Sequence, residues 1–244
     1  MLSDAHVHCP ETGSWEEICP ENVSWAILNG TSPADWPTVC RLAKNGKSGQ
    51  KITPFLGLHP WFSGGNWENW KETLNAFLPL ATGIGEIGLD ARRPGLERAT
   101  QKEAFRYQLA LAVREKKPVA IHSVHAWSEM VPILKEIVGN TRIPLLFHAF
   151  QGSPELVTQL LRFRAYFSFA GCLRSSNTER FVKTLRAVPG ERLLLESDAA
   201  TPDVAAGLAG FYREVAETLK LPLATLCAQL RENLERLFSP EATE

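Results

Sequence analysis

Short apolar runs alternate along this chain with longer stretches of helical period. Runs at 3–8, 24–29, 52–58, 82–89, 118–122, 145–148, 166–170 and 192–197 have the length and composition of buried β-strands. Between them, apolar side chains recur at helical spacing: Phe105, Leu109 and Val113 in one segment, Leu226, Leu230 and Leu234 in another. Each set forms a stripe that packs against a sheet. Ser32-Pro33 and Ser153-Pro154 read as an N-cap followed by proline at the first helical position, where an N–H has no helical partner anyway. Strands rich in buried apolar residues and alternating with helices predict a parallel sheet of βα units. That pattern fits a closed (β/α)8 TIM barrel, and it also fits an open doubly wound α/β sheet. No GxGxxG or phosphate-binding loop opens the first unit, which counts against the nucleotide-binding open sheet. No linker, repeat or low-complexity segment divides the chain. Residues 1–244 are therefore expected to form a single barrel domain of ordinary size.

The polar residues fall where such a barrel would use them. Of the histidines His6, His8, His59, His122, His125 and His148, five lie at or just beyond the C-terminal end of an expected strand. Glu86 and Asp198 sit at strand ends as well. In a barrel those ends meet at one face, the face that carries active sites. His6 and His8 are two residues apart on a strand, so both imidazoles point to the same side and can reach one ion. Asp4 continues that alternation and is expected to support them. Imidazoles and carboxylates at the mouth of an apolar barrel must be paired or bound to metal. Four imidazoles and two carboxylates exceed what one tetrahedral zinc needs. His6, His8, Glu86, His122, His148 and Asp198 thus predict a pair of divalent ions bridged by a carboxylate, with Glu86 and Asp198 the candidates for it. Zn2+, Mg2+ and Mn2+ all suit such ligands.

Composition adds mainly exclusions. The net charge is -1, from 26 basic and 27 acidic residues, so there is no overall bias toward nucleic acid or membrane. The chain opens Met1-Leu2-Ser3-Asp4 without a basic segment ahead of an apolar stretch, and no long apolar run follows. Neither a secretion leader nor a membrane span is expected. Cys9, Cys19, Cys40, Cys172 and Cys227 are odd in number and form no CxxC pair. Reduced thiols and a cytoplasmic location follow as the expectation.

The motifs, taken in order, resemble the TatD family of metal-dependent hydrolases, often described as deoxyribonucleases. They are DAHVH at 4–8, GLHP at 57–60, GEIGLD at 85–90, PVAIHS at 118–123, FHAFQGS at 147–153 and ESDA at 196–199. The closing ENLERLF at 232–238 is similar to the family's final helix. The resemblance implies a barrel with two metal sites. His6 and His8 would hold one ion with Asp198 close by, His122 and His148 the other, and Glu86 would bridge them. It also implies hydrolysis of phosphoester bonds by a metal-activated water, with Asp198 orienting that water or taking its proton. Substrates would be DNA, short oligonucleotides or small phosphoesters; no obligate protein partner is implied. His59, His125 and Arg174 are the candidate substrate contacts, and Trp61, Trp67, Trp70 and Trp127 the candidate stacking surfaces. The family's pattern is not complete here: Val124 stands where an arginine is common, and the basic segment usual after the last aspartate is replaced by Ala199-Ala200-Thr201-Pro202. Small phosphoesters or short single strands are therefore the expected substrates ahead of long duplex DNA. Three rival readings start from the same residues. A polymerase-and-histidinol-type phosphoesterase usually ends with Asp-x-His, and Ala199 and Ala200 after Asp198 count against it. A mononuclear amidohydrolase or decarboxylase shares HxH and a late aspartate but leaves Glu86 without a bridging role. A metal-binding scaffold without turnover would keep the ligands and lose the substrate contacts.

Overall fold

The computed structural model describes residues 1–11, 13–14, 19–46, 49–93, 95, 97–171 and 178–239. Eight strands form one sheet in the order of the sequence, every neighbouring pair parallel. They are β1 (Leu2–His8), β2 (Val23–Asn29), β3 (Lys51–Leu56), β4 (Gly83–Asp90), β5 (Val119–Val124), β6 (Leu145–Phe147), β7 (Ala165–Ala170) and β8 (Leu193–Glu196). The sheet closes at its C-terminal end. Asp198 N–H donates to the His6 carbonyl at 3.1 Å and His8 N–H to the Ala199 carbonyl at 2.8 Å. The fold is thus the (β/α)8 barrel, and the open sheet is excluded.

The helices lie outside the strands. They are α1 (Trp36–Lys44), α2 (Trp70–Phe77), α3 (Arg98–Arg114), α4 (Trp127–Ile137), α5 (Pro154–Leu160), α6 (Thr178–Ala187), α7 (Pro202–Ala206), α8 (Leu208–Leu219) and α9 (Leu223–Phe238). The expected stripes face inward: Phe105 and Leu109 of α3 and Leu226, Leu230 and Leu234 of α9 are buried. Ser153 caps α5 as expected, its hydroxyl accepting from Leu156 N–H, with Pro154 in the first turn. Ser32-Pro33 does not start α1. The Asp35 carboxylate accepts from the Thr31 N–H at 2.8 Å and the Thr31 hydroxyl at 2.6 Å. That turn consumes the segment, so the helix begins at Trp36 with Pro37 in its first turn.

Two apolar layers result. One lies between the strands and the surrounding helices. The other fills the barrel interior with Ala5, Trp25, Ile27, Phe55, Ala120, Leu146, Tyr166 and Leu194, together with Leu234 and Leu237 of α9. The last helix therefore plugs the N-terminal end of the barrel. Buried Asn233 fixes it there, its Nδ2 donating to the carbonyls of Gly190 at 2.7 Å and Leu193 at 2.8 Å. With that end sealed by hydrocarbon, polar chemistry is confined to the opposite mouth. Among the described residues, no helix is long and apolar enough to cross a membrane.

Candidate metal centre

The strand ends deliver their polar side chains to one carboxylate. Glu86, on β4 and only 1% exposed, lies within reach of five imidazoles. His148 Nε2 is 2.6 Å and His122 Nδ1 2.7 Å from Glu86 Oε1. His59 Nε2 is 3.2 Å from the same oxygen. On the other oxygen, Oε2, His6 Nε2 sits at 3.1 Å and His8 Nε2 at 3.6 Å. Asp198 completes the group, its Oδ1 3.2 Å from His8 Nε2. The six residues expected to bind metal are therefore brought together, with Glu86 between a His6–His8 side and a His122–His148 side.

β-Strand geometry explains the first side: His6 and His8 share a face, as their spacing requires. The second side rests on a glycine. Gly88 has φ +155°, and a Cβ there would lie 1.9 Å from the His122 carbonyl oxygen. Only glycine lets β4 approach β5 this closely. Asp198 has φ 54°, a left-handed conformation that aspartate tolerates better than most residues. It is held by Asp4, whose carboxylate accepts from the Ser197 N–H at 2.9 Å and the Ser197 hydroxyl at 2.6 Å.

Electrostatics match this arrangement. Burial works to raise the Glu86 carboxyl, but His148, His59 and His6 around it hold it well below the usual carboxylate range. Burial is also outweighed at Asp198, which His8 and the neighbouring imidazoles lower to about 2. Desolvation keeps His59 neutral by pushing it down to about 4. Burial opposes charge on His148 as well, yet Glu86 and Glu196 raise it well above its ordinary value.

Can these groups hold cations? His122 Nδ1 and His148 Nε2 face each other at 3.3 Å, and the His6 and His148 rings stack with centroids 3.9 Å apart. Imidazoles packed against one another and against a single carboxylate need a proton or a cation between them. The nitrogens on the far side of the second pair are already committed. His148 Nδ1 lies 3.3 Å from Glu196 Oε1, and His122 Nε2 lies 3.4 Å from Asp90 Oδ2. With protons on those outer nitrogens, the inner lone pairs are free for a metal, the arrangement that carboxylate partners impose on metal-binding histidines. Among the described residues, three overlapping groups have ligand atoms close enough for one ion: His6–His8–Glu86, His59–Glu86–His122 and His6–His148–Glu196. The donor set fits divalent cations.

Several residues were not anticipated in these positions. Asp90 and Glu196 were missed, although their spacing gives them away. Asp90 follows Glu86 by four residues at the end of β4, and Glu196 closes β8 two residues before Asp198, so each stands close to an expected ligand. Glu196 is fully occupied, accepting from the Ala149 N–H at 2.8 Å and from the Ser168 hydroxyl. His59 does not face outward as a free substrate contact. It is buried, accepts the Trp61 N–H at Nδ1 at 3.1 Å, and turns Nε2 to Glu86. His125 lies in the turn after β5, exposed and with φ 50°, outside the group around Glu86. Arg174 lies outside the described residues. Of the four tryptophans, Trp70 packs on Tyr107 and Trp127 on Phe147 and Phe150, whereas Trp61 is 41% exposed at the mouth.

Known proteins place this geometry in context. A family model described as TatD-related DNase matches residues 3–239. The metal-dependent hydrolase YabD of Bacillus subtilis is 29% identical over 257 residues, covering 98% of this chain and 99% of that protein. The 3'-5' ssDNA/RNA exonuclease TatD of Edwardsiella piscicida is 34% identical over 151 residues, covering 59% of this chain and 56% of that one. Among solved structures, the TatD homologue YJJV of Escherichia coli shares the fold with a TM-score of 0.84 at 24% identity over 98% of each chain.

Proposed function

The chain belongs to the TatD-related DNase family of metal-dependent hydrolases, and on that premise we propose that it hydrolyses phosphodiester bonds of nucleic acid with two divalent ions held around Glu86. The observation that carries this reading is the division of five imidazoles over the two oxygens of one buried carboxylate. A single tetrahedral ion would leave part of that set without a role. His6 and His8 would hold one ion, His122 and His148 the other, and Glu86 would touch both. Ions so placed supply a water of near-neutral pKa and neutralise charge on the phosphoryl oxygens.

The chain's own residues define the rest. Asp198 is 25% exposed whereas Glu86 is 1% exposed, so Asp198 is the carboxylate that an incoming water and substrate can reach. Its Oδ1 lies beside His8, and the imidazoles around it keep it ionised, so that it would orient an attacking water by accepting a hydrogen bond from it. His59, neutral and donating from Nε2, would steady Glu86. Glu196 and Asp90 would fix the rings of His148 and His122.

The test is a screen of protein loaded with Zn2+, Mg2+ or Mn2+ against single-stranded DNA, RNA, duplex DNA and simple phosphodiesters, with bound metal measured alongside. Hydrolysis by the loaded protein that a chelator abolishes is the expected result. Asp198→Asn should then reduce kcat by about a hundredfold or more while moving KM little, as expected when the carboxylate that orients the water is lost. Loaded protein that cleaves no phosphoester would refute the proposal.

A further inference from the structure

An exposed aromatic ring is anchored directly to the metal centre. Among the described residues the exposed large apolar side chains are Met1, Trp61, Leu80, Val204 and Leu223, and Trp61 is the aromatic one. It follows β3 in a short 3-10 turn, Pro60–Phe62. Its Nε1 donates to Asp90 Oδ2 at 2.7 Å, and that same oxygen lies 3.4 Å from His122 Nε2. The His59 ring meets it edge-on at 5.0 Å, and its centroid is 6.2 Å from that of His122. The Arg93 guanidinium lies over the indole, 4.4 Å from the ring centroid.

These contacts have a consequence for ligand binding. A tryptophan serving the fold would bury its faces, as Trp36 does. Trp61 is instead fixed by its nitrogen with the Arg93 guanidinium over one face and is 41% exposed, so a stacking ligand would take the face away from Arg93. A ring held this way loses little freedom when a ligand settles on it. Arg93 is exposed, and the strand end that carries it also carries Asp90. A planar aromatic ligand with an attached anion matches the pair: the plane stacks on indole and the guanidinium binds the anion.

We propose that Trp61 and Arg93 form a subsite that takes one unpaired nucleotide next to the reacting phosphate, its base on the indole and its phosphate on the guanidinium. The inference rests on the nucleic-acid reading above and narrows it to single strands and frayed ends. A base inside a duplex has both faces covered by its neighbours and must leave the stack before it can meet the ring. Stacking accepts any base, so the subsite selects strandedness rather than sequence.

The experiment compares wild type, Trp61→Ala, Trp61→Phe and Arg93→Ala on a short single-stranded oligodeoxynucleotide and on two versions lacking the base at the 3' or the 5' terminal residue. Trp61→Ala should raise KM for the complete strand by about tenfold. The penalty should shrink for one of the two abasic strands, and Trp61→Phe should recover most of the loss. Arg93→Ala should raise KM for all three strands and flatten its dependence on salt. An equal penalty from Trp61→Ala on all three strands would show a ring that merely buttresses Asp90, overturning the subsite while leaving the hydrolase reading intact. A metal-loaded wild type that cleaves none of the three strands, yet cleaves a simple phosphodiester, would overturn the nucleic-acid reading and the subsite with it.

Discussion

At the scale of single residues, the carboxylates divide into those that face the imidazole cluster and those that hold other groups in place. Asp4 is of the second kind. By alternation along β1 it is expected to support the histidines; its carboxylate accepts from the His6 N–H at 3.3 Å and also grips the backbone N–H and the hydroxyl of Ser197. Asp198, one residue on, keeps its left-handed φ because that grip is present. Asp4→Ala leaves three buried donors, the Ser197 N–H and hydroxyl and the His6 N–H, without that acceptor, each costing about 1–3 kcal/mol. The expected outcome is a lower melting temperature together with a fall in kcat of at least about tenfold, KM changing little. A lower melting temperature with kcat intact would restrict Asp4 to stability. Glu196 acts on the metal side instead. Glu196→Ala removes the acceptor that sets the His148 tautomer, and metal affinity should fall by about 10–100-fold in a calorimetric titration.

At the scale of elements, the site depends on how closely two strands approach. β4 and β5 pair through Gly88 and His122, and nothing larger than hydrogen fits at residue 88. Gly88→Ala should push β5 away, carry His122 off Glu86 and lower metal content well before the fold is lost. Circular dichroism and metal analysis of the same sample check this. This dependence also shows what the sequence reveals and what it conceals. All eight strands were legible because apolar runs ending in polar residues repeat along the chain, and their ends needed adjustment by only a few residues. His122 and His148 stood out for the same reason, as polar residues that end apolar runs; Glu86, expected at a strand end, lies in the middle of β4, and Asp198 lies two residues beyond β8. Asp90 and Glu196 were hidden because each stands close in sequence to a stronger candidate. Asp35 was overlooked because a Ser-Pro pair is a good cap wherever no nearby carboxylate folds it into a turn. The role of α9 as a plug was beyond reach: periodicity reveals a stripe but not the end of the barrel it closes.

At the scale of the whole molecule, one end of the barrel is sealed by hydrocarbon and the other concentrates ionisable groups, so stability and metal loading must both depend on pH. Without metal, burial opposes charge on His8, His122 and His148, but Glu86, Asp198, Asp90 and Glu196 outweigh it and raise all three. A histidine raised in the folded state stabilises fully below its unfolded value of about 6.5, and the benefit is lost as pH rises through the folded value. Glu86 and Asp198 are lowered, so their contribution is present above about pH 4 and is lost only as pH falls through their folded values. His6 and His59 are lowered by burial and cost stability as pH falls below about 6.5, whereas the raised histidines, and Asp4 raised to about 7, cost it as pH rises, so the metal-free protein should be most stable near about pH 6 and weaken on both sides. Divalent ions replace the protons on these imidazoles, so loading releases protons and tightens as pH rises. Together these effects predict that the rise in melting temperature produced by a fixed excess of Zn2+ or Mn2+ grows steadily from pH 6 to pH 8. Paired melts with added ion and with chelator across that range provide the check, supported by calorimetry in buffers of different ionisation enthalpy to count protons released. A metal-induced shift independent of pH, with no proton release, would mean that the ions do not bind through these imidazoles, and the centre around Glu86 would be a salt-bridged cluster instead.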